Sequence, residues 1–162
     1  HRHFRRQRQM CIRDRHTFWQ KSNLHEEVTR VPLVISLPGL EPGRTSSLVE
    51  LVDLFPTLSV AAGLETPEGL HGTSLLPILR EPDAQVKQSA LSIHGSGTSM
   101  RTANWTYTRY RDGSEELYDM KNDPGQFTNR ARVKNSEQAL AIQRRAFDKR
   151  LRAAGLKPTK IR

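Results

Sequence analysis

His16, Trp19 and Lys21 stand close together in HTFWQKSN, just ahead of an apolar run. Loops at strand ends are where open α/β sheets place their sites. A lysine in such a loop can hold a tetrahedral anion as a compact point charge on a flexible stem; an exposed side chain is the plainer reading. His25, Glu26 and Glu27 have the types for a metal site. Adjacent helical residues point in different directions, so all three cannot face one ion, and a solvated turn is simpler. His71, between Gly69-Leu70 and Gly72, reads as surface loop. His94, beside Gly95-Ser96-Gly97, either lines a cleft or belongs to a polar loop. Arg101, Arg109 and Arg111 could gather an anion, the last two sharing one strand face; cross-strand pairing of the hairpin with Glu115 or Glu116 is the bland alternative. Cys11 is the one cysteine, which excludes an internal disulfide and a multi-cysteine zinc site. No glycine-rich phosphate loop or serine-hydrolase elbow is present.

The elements that would position these residues follow from patterning. VPLVISL (31–37) is short, apolar and β-branched, bounded by Arg30 and Pro38-Gly39, and predicts a buried strand of a parallel sheet. Pro56 forbids one helix through 48–62. The better expectation is an extended piece at 48–52, then a helix over 54–62 capped by Asp53, with Leu54, Leu58 and Ala61 or Ala62 on its apolar face and Gly63 at its end. Residues 64–83 are loop-rich, with a helical turn at 74–79. A short strand is expected at 90–93. Trp105 to Tyr110 alternates, Asp112-Gly113 is a hairpin signal, and Glu116-Leu117-Tyr118 returns. Asn122-Asp123-Pro124-Gly125 is a turn cluster. A helix over 136–154 presents Leu140, Phe147, Leu151 and Ala154 on one face and stops before Gly155. A lone parallel strand cannot satisfy its own edges. The chain therefore reads as the end of a larger α/β domain, prone to aggregate by itself.

The 162 residues suffice for one domain with a modest core. No apolar run approaches the roughly 18 residues of a membrane span. The net charge of +9 is carried by the ends: residues 1–15 hold six Arg and one Asp, and residues 130–162 hold eleven basic and two acidic residues, while 16–129 is mildly acidic. Basic ends can bind polyanions, but a solvated helix face is the commoner reason for them, and nucleic acid is not the expected partner. Residues 1–15 lack apolar periodicity. RQRQMCIRDR resembles the translation of sequencing-adapter DNA at a metagenomic contig edge, so this segment is expected to be non-native or disordered.

Three blocks carry a family resemblance. HTFWQKSNLHEEVTRVPLVISLPG, LVELVDLFPTLSVAAGLETPEGLHGTSLLPIL and WTYTRYRDGSEELYDMKNDPGQFTN together resemble sulfatases of the alkaline-phosphatase superfamily, iduronate-2-sulfatase and its bacterial relatives above all. His16, Trp19, Lys21 and Arg30-Val31-Pro32-Leu33 match in order and spacing. The resemblance implies the end of an alkaline-phosphatase-like α/β domain (16–89) followed by a small α+β subdomain with an antiparallel hairpin and a terminal helix (90–162). It implies that Lys21 contacts the sulfate group and that His16 lines the site. It also implies calcium, held by carboxylates, and a formylglycine nucleophile made from Cys or Ser; both are expected upstream, since Cys11 is followed by Ile12-Arg13-Asp14-Arg15 and does not fit the maturation motif. The function so implied is hydrolysis of sulfate esters on a sulfated glycan or small molecule by a secreted or periplasmic parent, with this portion inactive alone. The alternative is a non-catalytic module that binds sulfated polysaccharide or another polyanion through Lys21 and the basic terminal helix.

Overall fold

The computed structural model describes residues 23–158. Its elements are helix α1 (Glu26–Thr29), a 3-10 turn at Leu51–Asp53, helices α2 (Leu54–Ala61) and α3 (Leu76–Arg80), strands β1 (Ser89–His94), β2 (Gly97–Thr102), β3 (Trp105–Tyr110) and β4 (Glu115–Asp119), 3-10 turns at Arg130–Arg132 and Lys134–Ser136, and helix α4 (Glu137–Ala153). The strands form one antiparallel meander in the order β1-β2-β3-β4.

The sheet has two unlike faces because side chains alternate along each strand. One face carries Met100, Tyr107 and Leu117, which pack with Leu140, Phe147 and Leu151 of α4 to form the core. Tyr107 and Phe147 meet edge-on with ring centroids 5.0 Å apart. The other face carries Ser99, Thr106, Thr108 and Tyr118, all buried, with Thr108 Oγ1 donating to Ser99 Oγ at 3.0 Å.

The β3–β4 hairpin turns through Arg111–Ser114. Gly113 takes φ +85, and Asp112 Oδ1 accepts from Ser114 N at 2.9 Å. Residues 105–110 form a strand as expected, the return strand expected at 116–118 spans Glu115–Asp119, and α4 buries Leu140, Phe147 and Leu151 as its periodicity predicts. Gly63 ends α2 at φ +68. Strand β2, GTSMRT, is not expected from the sequence; it joins β1, expected at 90–93, to the hairpin, completing four strands.

Three expectations fail. Residues 31–37 form no strand, and Val31 and Val34 are exposed, Val34 by 91%. No described strand pairs with this segment, because the four strands of the meander pair only with one another, and an unpaired segment has no ladder. Asp53 does not cap α2 through its side chain; its carboxylate is drawn into the longer-range network described below. The buried residues of α2 are Pro56 and Thr57 rather than Leu54 and Leu58, because Thr57 Oγ1 donates to Asp53 O at 2.5 Å and accepts from Leu75 N at 2.8 Å, fixing which side faces α3.

Gly72 lies against the backbone of the 3-10 turn, where an added Cβ would overlap the Val52 carbonyl oxygen. Gly72→Ala should cost at least about 1–3 kcal/mol of stability, the usual range for overpacking. A denaturant midpoint equal to wild type would show that this contact gives way freely.

Candidate functional site

Lys21, His16, Trp19 and Cys11 lie outside the described residues. The described chain begins at Asn23, and its first residues seat on the polar face of the sheet. Leu24 and His25 are buried. The His25 imidazole meets the Tyr118 ring edge-on, with centroids 5.8 Å apart and planes at 64°. Glu26 N donates to Gln126 Oε1 at 2.6 Å, across 100 residues of sequence. Glu26 Oε2 lies 3.3 Å from Arg101 Nε, and its Oε1 lies 3.8 Å from Arg30 Nη1. His25 and Glu26 thus point to different partners rather than to one ion, and the solvated turn expected here is instead a short helix with His25 buried at its start.

Gln126 was not singled out from sequence. It is 1% exposed and takes φ 58, the left-handed region that costs a non-glycine residue about 1–3 kcal/mol. The turn around it enforces that conformation. Gln126 N donates to Asp123 O at 3.0 Å, while the Asp123 carboxylate accepts from Phe127 N at 3.1 Å and Thr128 N at 2.7 Å. The signal for a turn at Asp123-Pro124-Gly125 was legible; the strained residue after it was not.

The remaining candidates disperse. His71 is exposed. His94 is exposed at the β1–β2 turn, with Nδ1 3.0 Å from Ser96 Oγ. Arg111 is exposed on the hairpin turn. Arg109 is 3% exposed and stands opposite Glu115 in the β3–β4 register. Its Nη1 meets Asp148 Oδ1 at 2.7 Å, and its guanidinium lies 4.8 Å from the Phe147 ring centroid. The hairpin-pairing alternative therefore describes Arg109. Arg101 instead reaches Glu26.

Glu115 is the hub beneath α4: Arg144 binds it through Nε at 3.0 and 3.1 Å and also through Nη2, and Tyr107 donates its hydroxyl. Burial opposes ionisation of Glu115, but hydrogen bonds from Arg144 and Tyr107 and the charges of Arg144 and Arg109 outweigh it, holding the carboxyl below its ordinary value. A depressed carboxyl contributes stability above its unfolded value, about 4.3, and loses it as pH falls through the folded value. The stability gap between wild type and Glu115→Gln should therefore narrow below about pH 4; a gap constant from pH 7 to 3 in thermal melts would contradict this.

A second network joins the middle of the chain to the sheet and α4. Lys87 Nζ sits 2.6 Å from both Glu50 Oε2 and Asp53 Oδ1. Arg150 Nη2 sits 2.9 Å from Glu50 Oε2. Leu91 N donates to Glu50 Oε1 at 2.7 Å, and Asp53 accepts from Glu50 N at 2.7 Å and Thr73 N at 2.8 Å. Asp53 is fully buried. Glu26, Glu50, Asp53, Glu115 and Asp148 are all engaged by Lys or Arg. Among the described residues no group of three or more His, Cys, Asp or Glu could hold a metal ion, so these residues do not fit a calcium site.

Comparison with known proteins gives the family. The family described as N-sulphoglucosamine sulphohydrolase, C-terminal, matches residues 14–154. Human arylsulfatase K is 32% identical over 131 residues, covering 70% of this chain and 24% of the relative. Delta 4,5-hexuronate-2-O-sulfatase of Bacteroides thetaiotaomicron is 32% identical over 140 residues, covering 78% of this chain and 29% of that protein. The solved structure of a 2-O GAG sulfatase superposes with a TM-score of 0.54 at 35% identity, over 63% of this chain and 24% of that one. This chain thus spans about a quarter of the length of the relatives it matches. The four-stranded sheet with its terminal helix is the small α+β subdomain of the sulfatases' alkaline-phosphatase-like architecture, and the chain belongs to the sulfatase family through the carboxy-terminal region typified by N-sulphoglucosamine sulphohydrolase.

Proposed function

We propose that this chain is the carboxy-terminal module of a sulfatase that hydrolyses sulfate esters of a glycan, with a uronate 2-O-sulfate as the preferred ester. The observation that carries the reading is the family match over residues 14–154, joined to a Bacteroides thetaiotaomicron sequence at 32% identity and a solved structure at 35% identity whose names both specify 2-O-sulfate chemistry. The module's own contribution is Lys21. An ammonium ion beside the sulfuryl group stabilises the negative charge that develops on its oxygens and on the leaving oxygen as the ester breaks. His16 lines the same site. The nucleophile and calcium would come from the rest of the enzyme: a formylglycine there would supply the attacking oxygen, and calcium would take oxygen ligands that the described residues do not provide.

Sulfate release from disaccharides tests the reading. With the sulfatase expressed together with its upstream sequence, an unsaturated uronate 2-O-sulfate should be turned over, while glucosamine N-sulfate and 6-O-sulfate should be poor substrates. Release confined to the glucosamine esters would refute the 2-O assignment. Binding of sulfated glycan without any release would favour a non-catalytic module.

A further inference from the structure

We propose that the outward face of α4 is a docking surface for a sulfated glycan chain, held by Arg145, Lys149 and Arg152. This inference rests on the proposed reading of the substrate as a sulfated glycan. Helix α4 sorts its cations into two groups. Arg144 and Arg150 flank the buried side and meet carboxylates, Glu115 for the first and Glu50 at 2.9 Å for the second. Arg145, Lys149 and Arg152 are exposed. They stand at i, i+4 and i+7, on one side of the helix and opposite the buried stripe of Leu140, Phe147 and Leu151. They make a row of one sign over about 10 Å of helix axis, and none of the three has a salt bridge among the described residues. The neighbouring carboxylate, Asp148, is engaged from the other side by Arg109 Nη1 at 2.7 Å. A solvated helix face ordinarily mixes signs, since like charges at i and i+4 repel. The helix dipole accounts for a cation in the last turn, such as Arg152, but its effect has faded by Arg145, about two turns earlier. An anionic polymer laid along the row relieves the repulsion and gains by releasing its own counterions. The row continues toward the helix start through exposed Gln138, Ala141 and Ile142. Gln138 can donate to and accept from sugar hydroxyls. No exposed aromatic lies there, and single-stranded nucleic acid binds on aromatic platforms, so charge complementarity favours the sulfated glycan.

Heparin binding to the sulfatase expressed together with its upstream sequence tests this. The row variant Arg145→Gln/Lys149→Gln/Arg152→Gln keeps long, helix-favouring side chains and removes three charges. Its Kd for heparin should rise at least about 10-fold at about 0.15 M salt, and the slope of log Kd against log salt should fall by about two to three. The melting midpoint should not drop, because the substitutions break no salt bridge among the described residues and relieve like-charge repulsion. A control variant, Arg111→Gln/Lys121→Gln/Lys134→Gln, removes the same charge from exposed positions elsewhere. It should keep heparin affinity within about twofold of wild type, since charges beyond a Debye length are screened. Wild-type affinity in the row variant would overturn the docking surface. Equal losses in the two variants would assign the effect to net charge and overturn it as well. A double-stranded DNA fragment that binds as tightly as heparin, and loses as much in the row variant, would make the row a general polyanion surface and overturn the glycan assignment. Sulfate release is scored separately. An enzyme that releases no sulfate from any glycan ester, yet loses heparin in the row variant alone, would refute the proposed function and uphold the docking surface.

Discussion

Lys21→Ala in the full-length enzyme should lower turnover of a sulfate ester by about two powers of ten or more. The estimate follows from the cost of deleting one preorganised group that meets developing negative charge, about 2.7–4 kcal/mol at the transition state. The loss should fall mainly on kcat, because the charge on the sulfuryl oxygens and the leaving oxygen grows only as the bond breaks. Lys21→Arg keeps the charge but exchanges a compact ammonium for a planar fork, and should recover part of the activity. Arg111→Ala removes the same unit of charge from an exposed turn residue and controls for long-range field effects. Steady-state kinetics of the three variants decide the matter; turnover in Lys21→Ala within a fewfold of wild type removes Lys21 from the site.

Asp53→Ala should be the most destabilising of the substitutions considered, at about 3–5 kcal/mol, the usual cost of removing one partner from a buried ion pair. Its carboxylate is fully buried and serves the amides of Glu50 and Thr73 together with Lys87. Deleting it leaves two amides without their acceptor and Lys87 with Glu50 as its remaining carboxylate among the described residues. Against a typical total stability of about 5–15 kcal/mol, that loss is large. Asp53→Asn keeps an acceptor oxygen and should cost less. Denaturant midpoints of the two variants measure the difference, and equal midpoints would mean that charge, not hydrogen bonding, supplies the whole effect.

The parts of this fold that sequence reveals are those governed by local rules. The β3–β4 hairpin announces itself by alternation and Asp112-Gly113, and α4 by the spacing of Leu140, Phe147 and Leu151. What sequence hides is decided at long range. GTSMRT carries no recognisable strand pattern, because polar Ser99 is buried and Arg101 on the same face is half-buried, so β2 shows no contrast between inside and outside. Asp53 looks like a helix cap by position, yet its bonds to Thr73 and Lys87 span 20 and 34 residues. VPLVISL has the composition of a strand, but a strand is a property of a pair. For the site, the residue types around Lys21 are suggestive, and the role proposed for Lys21 comes from the family resemblance. Nothing in the local sequence of Gln126 announces a partner 100 residues away.

The Glu50 network bears on how this region can be recombined with other sulfatases. Glu50, Lys87 and Arg150 come from three distant stretches and meet on one carboxylate, while Ser47 Oγ donates to Ala84 O at 2.7 Å alongside. A chimaera joined just before β1, where the loop looks like a natural seam, would bring Arg150 and the amide of Leu91 from one parent and their acceptor from another. A crossover upstream of Ser47 keeps the donors and the acceptor in one inheritance, and libraries built with that junction should yield more soluble, folded progeny than those cut at residue 88.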